Sequence, residues 1–118
     1  MDAKLKAKIT KRLILQKWCG LDISKDASIL PDVYESLDAE AQYIIPKLFD
    51  IGYSCYLSHV IADGGLYFAQ IESPIYELYE AQNDNPAIAL GEATLKLLAL
   101  IEPELFKSEA IKKLWANG

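Results

Sequence analysis

His59 is the only histidine in the chain, and so its one conventional general base near neutral pH. Ser58 precedes it. Neighbours on a strand point to opposite faces, so this pair does not make a nucleophile–base couple. Cys55 shares a strand face with His59, but two pleats separate them by roughly 13 Å, too far for direct proton transfer. Cys55 therefore reads as a small buried hydrophobe and His59 as a partly exposed strand residue. Glu72, Glu77 and Glu80 gather near the last two strands, with Asp63 and Asp84 in turns. Such oxygens suit a divalent cation, but the DxDxDG order of a calcium loop is missing. Asp63-Gly64-Gly65 lacks the lysine and following helix of a phosphate loop and reads as a hairpin turn. Cys19 and Cys55 form no CxxC pair, and with one histidine they cannot complete a four-ligand zinc site. No catalytic or metal-binding constellation is assembled, so the expectation is a non-enzyme without a cofactor.

Tyrosine is used heavily, at seven positions. Tyr56, Tyr67 and Tyr76 are expected to align across one face of a sheet. There they either pack under a helix or stay exposed. With Glu72, Glu77 and Glu80 they would make an aromatic, acidic contact face suited to an arginine-rich partner. Aromatic sheets also stack bases, but lysine and arginine are scarce nearby, so direct nucleic-acid binding is not expected.

The charge is uneven. The formal net charge is −5 over 118 residues. Residues 1–25 carry seven bases and two acids, whereas residues 26–95 carry Lys47 alone against twelve acids. Residues 96–118 are near balance, with four bases and three acids. An acidic body with a basic first helix is either ordinary solvation or a docking face that speeds association with a basic protein. Such a partner could itself be a nucleic-acid enzyme.

These residues need elements to hold them. The length fits one domain, and a 52% hydrophobic content supports a real core. Leu5, Ile9, Leu13 and Trp18 mark a helix from about 4 to 18, capped by Asp2 and stopped by Gly20. Residues 21–35 read as an ordered loop. Ser36 caps a second helix, about 37–50, with Asp38 and Glu40 near its positive end. Pro46 should kink that helix or end its first half. Strands are expected over 53–61, 66–72 and within 75–81. Asn85-Pro86 opens a helix, about 86–101, that is apolar over much of its circumference. Its small residues Ala89, Gly91 and Ala93 should let it approach the sheet closely. A last helix spans about 108–116. The expectation is one α+β domain over 1–118, in the order α-α-β-β-β-α-α. Its small three-stranded antiparallel sheet is covered by helices in a sandwich-like way.

Several local patterns recur in a known family. Trp18-Cys19-Gly20-Leu21 closes the first helix. Leu30-Pro31-Asp32-Val33-Tyr34-Glu35-Ser36-Leu37-Asp38 leads into the second. Asp50-Ile51-Gly52-Tyr53 opens the first strand, and Asn85-Pro86 precedes a small-residue-rich helix. Over about residues 5–101 the chain resembles the phage ABA sandwich domain family. The resemblance implies a phage or prophage origin, a helix–sheet–helix layering and no catalytic residues. It also implies an accessory protein that binds and blocks a host protein.

Together these readings point to an inhibitor of a basic host protein, plausibly a nucleic-acid-handling defence complex (an anti-CRISPR-like role). Tyr56, Tyr67, Tyr76, Glu72, Glu77 and Glu80 would form the contact face. Two alternatives stay open. One is an oligomeric sponge for a nucleotide signal, with Lys11 and Arg12 borrowed from a neighbouring subunit. The other is an immunity protein that neutralises a basic toxin. The lysine-rich start is unlike a secretory leader, and no apolar stretch is long enough for a membrane span. The expectation is the bacterial cytoplasm, with reduced thiols, no membrane contact and a possible homo-oligomer.

Overall fold

Asp2, Ser36 and Asn85 each accept a backbone N–H with a side-chain oxygen, and each starts a helix. The computed structural model describes residues 1–116, apart from the side chain of Asp63. Expectations at Asp63 as a ligand and at positions 117–118 lie outside the described residues. The four α-helices are α1 (Ala3–Trp18), α2 (Leu37–Asp50), α3 (Pro86–Ile101) and α4 (Glu109–Ala116). The strands β1 (Ser54–Val60), β2 (Leu66–Glu72) and β3 (Leu78–Asn83) form one antiparallel sheet in that order. The protein is an α+β fold with helices packed on the sheet. No helix is long and apolar enough to cross a membrane among the described residues.

Pro46 neither ends nor divides α2, which runs unbroken to Asp50. Ile44 and Leu48 on either side are fully buried, while Pro46 is exposed. Packing on both sides of the proline outweighs its missing hydrogen bond. Gly52, at φ +86°, then turns the chain into β1.

The third strand begins at Leu78, later than its composition implies. Residues 73–77 are spent on a tight turn. The Ser73 hydroxyl accepts the N–H groups of Ile75 and Glu77, and the Tyr76 N–H donates to the Ser73 carbonyl. Tyr76 sits there at φ +67°, the only non-glycine residue with positive φ among those described.

The core lies on one side of the sheet. Ala69 and Ile71 are fully buried, with Cys55, Tyr67, Tyr79 and Ala81 packed around them. α3 lies on this face against β2 and β3, and α2 meets β1. α1 packs on α3 from beyond, with α4 at its side. The opposite sheet face carries no buried residue, so the sandwich is one-sided: the helices stack outward from one face and leave the other open.

Two expectations about packing change. The second half of α1 is buried over most of its circumference, through Leu13, Ile14, Leu15, Gln16 and Trp18 with only Lys17 exposed, whereas Leu5 is exposed. An apolar stripe alone does not describe a helix wedged between neighbours. Gly91 does make a close approach, but to Tyr34 and Glu40 rather than to the sheet.

Candidate binding face

The open sheet face is built by alternation along three strands. The ladder sets Ser54, Glu72 and Leu78 in one row, Tyr56, Gln70 and Glu80 in the next, and Ser58, Phe68 and Gln82 in a third. Tyr56 is 52% exposed and Leu78 49%. The Gln70 amide donates to Glu80 Oε1 at 2.9 Å, which fixes that carboxylate on the surface. At the edge of β3, Lys96 reaches round from α3 and donates to the Glu80 carbonyl at 2.5 Å. A lysine there blunts the strand edge against unwanted pairing.

The expected row of three tyrosines does not form. Tyr56 lies on the open face, but Tyr67 pairs with His59 on the helix side. The two rings stack with centroids 4.4 Å apart and 12° between planes. The loop of residues 61–65 contains an odd number of residues, so the side-chain parity on β2 is set by the turn and not by composition. Tyr76 stands in the β2–β3 turn at 81% exposure, off the ladder. Glu77 shares that turn and accepts the Tyr79 hydroxyl at 3.0 Å, which raises the Tyr79 pKa. Of the six residues singled out, Tyr56, Glu72 and Glu80 share the open face. Tyr76 and Glu77 sit at its end, and Tyr67 lies behind it.

Sequence reasoning missed Phe68 and Gln70, which complete the face. It also missed an apolar tip where α2 ends against the turn. Phe49, Ile51, Ile75 and Tyr76 are all exposed there, and a β-carbon at Gly52 would lie 3.3 Å from Pro74. Only the β1–β2 register, which sets Ser54 opposite Glu72, brings these two segments together.

The candidate nucleophiles are quiet. Burial raises the thiol of Cys55 to a pKa of about 11. Cys19 is also raised to about 11 by burial, against a lowering by Lys47 and a further small rise from Glu40. Neither is the thiolate-rich cysteine that nucleophilic chemistry uses. His59 bonds the Gly65 carbonyl through Nε2 at 3.0 Å. Ser58 lies on the opposite face of the sheet, as strand alternation requires. Among the described residues, no three His, Cys, Asp or Glu side chains come together as metal ligands.

Two polar clusters lie on the helix side. Tyr34 Oη and Lys11 Nζ both donate to Glu92 Oε1, each at 2.6 Å, which joins α1, the loop before α2, and α3. Burial raises the Tyr34 pKa strongly, and the bond to Glu92 adds to it. Glu40 is fully buried with neither carboxylate oxygen hydrogen-bonded. Burial, with Asp32 adding a smaller effect, pushes its pKa up to about 9. Its place in the first turn of α2 reads in sequence as a surface acid at a helix start. Only the docking of α3 reveals the burial.

No family model, curated protein or solved structure matches the chain.

Proposed function

We propose that the protein is a non-enzymatic binding protein that docks a basic protein on the open face of its sheet and inhibits it. The observation that carries this reading is an uncovered sheet face bearing Tyr56 and Phe68 beside Glu72 and Glu80. No lysine or arginine occurs between Lys47 and Lys96 to offset those acids. Aromatic side chains supply rigid contact area at low entropic cost, and the surrounding carboxylates favour encounter with a cationic surface. In its finer form, the partner is a nucleic-acid-handling host protein met by a phage accessory protein. That form rests on the family resemblance together with the acidic charge.

The test is capture from bacterial lysate at low and high salt, followed by association kinetics with the purified partner. Glu72→Lys with Glu80→Lys should slow association about tenfold at low salt and flatten its salt dependence. Glu104→Lys, outside the sheet, should leave the rate close to that of the parent. A partner bound equally well by the doubly reversed protein would move the site off this face.

A further inference from the structure

A second site lies on the opposite side of the molecule. The amino-terminal half of α1, the end of β3 and the start of α3 border an open cleft of about 530 Å³. That volume falls within the roughly 300–1,000 Å³ usual for small-molecule sites. Its charge is opposite to that of the body, with Lys4, Lys8 and Lys11 lining one wall. They recur at i, i+4 and i+7, so one helix face presents all three. Their availability differs. Lys11 is held by Glu92 at 2.6 Å, and Arg12 is not part of the lining. Lys8 is shared with Glu35 at 3.1 Å through an exposed contact, whose worth is small and which an anion can displace. Lys4 has no ion pair among the described residues. The acid Asp2 is already used, since it caps α1 through Leu5 N–H at 2.7 Å.

The rest of the lining mixes apolar and polar side chains. Leu5 and Ile88 supply apolar walls. Both bonds to Glu92 use Oε1, so its other oxygen remains an acceptor for a hydroxyl or amine. Asn83 accepts the Asn85 N–H through Oδ1, which leaves its amide NH₂ to donate. Lysine ammoniums act as point charges that suit a phosphate, whereas the lining has no arginine fork for planar carboxylate pairing.

We infer that this cleft binds a nucleoside monophosphate, with its phosphate at Lys4 and Lys8 and its base between Leu5 and Ile88. This site is separate from the open sheet face, so neither reading depends on the other. Isothermal titration at low ionic strength with AMP, GMP, CMP and UMP tests it, with inorganic phosphate and adenosine as fragments. At least one nucleotide should bind about tenfold more tightly than inorganic phosphate and than adenosine, because the two ends of the ligand bind together. Lys4→Ala with Lys8→Ala should weaken that nucleotide by about tenfold or more while leaving the circular dichroism spectrum unchanged. Leu5→Glu, at an exposed position, should weaken it too. Lys112→Ala with Lys113→Ala on α4 should leave it unaltered. Inorganic phosphate binding as tightly as every nucleotide would show that the lysines read charge alone and would overturn the assignment. Absence of nucleotide binding, or equal binding by the Lys4/Lys8 variant, would overturn it as well.

Discussion

Glu40 and Gly91 meet where α2 crosses α3: a β-carbon at position 91 would lie 3.2 Å from Glu40 Oε2 and 2.9 Å from Tyr34 Cδ1. Gly91 is thus a packing glycine, with the Tyr34 ring seated where a side chain would be. The ring cannot yield freely, because it is buried and its hydroxyl is tied to Glu92. Gly91→Ala gains up to about 1 kcal/mol of helix propensity but must displace both neighbours. The expected net result is a loss of about 1–3 kcal/mol, read by urea denaturation. A neutral or stabilising outcome would show that Tyr34 has room to move.

The carboxylate beside that glycine links stability to pH. In the folded chain Glu40 is raised to about 9, against an ordinary value of 4.5. The folded state therefore holds the proton more tightly than the unfolded state. Its contribution to stability is complete below about pH 4.5, falls as pH rises through the interval, and is lost above about pH 9. The groups around it do not offset this. Asp32 raises its pKa further, and no hydrogen bond reaches either oxygen. Glu40→Gln should flatten the decline between pH 5 and 9, and Glu40→Leu should do so while removing the orphaned polar atoms. At pH 8 the leucine variant is expected to gain on the order of 1–3 kcal/mol. A parent protein whose denaturation midpoint stays level across that range would refute a buried, proton-holding Glu40.

What could be read in advance follows the range of the interaction. Asn85-Pro86, Ser36 and Gly52 act within one turn of themselves, and the helix boundaries they imply match the structure. The α+β order follows from the same local signals. The failures share a longer range. Tyr67 changes face because the loop at 61–65 sets the parity of β2. Tyr76 leaves the ladder because Ser73 organises a turn around it. Glu40 looks like a solvent-facing first-turn acid until α3 is laid over it. Half of the proposed contact residues were legible on the open face, namely Tyr56, Glu72 and Glu80. Their partners Phe68 and Gln70 required the register.

Burial has a chemical consequence at the two cysteines. With both thiols near a pKa of 11, the thiolate fraction at neutral pH is far below that of a free cysteine. Alkylation by iodoacetamide at pH 7.5 should be slower than for a free thiol by about tenfold or more, and should reach the free-thiol rate in urea. Mass spectrometry of the intact protein follows both events. Rapid native labelling of Cys55 would mean that the helix side of β1 opens to solvent.

Tyr76 separates stability from recognition. A side chain at φ +67° costs roughly 1 kcal/mol relative to glycine, and this one recovers little by packing, since 81% of it is exposed. Tyr76→Gly should therefore hold or raise stability by up to about 1 kcal/mol. A strained aromatic at the tip of an acidic face is the arrangement expected of a contact residue. The same substitution should weaken capture of the proposed basic partner by about tenfold, within the range for an aromatic anchor. The two readouts are measured on one protein, by urea denaturation and by equilibrium binding. Lost stability would reveal packing by the ring, whereas full binding at unchanged stability would remove Tyr76 from the contact face.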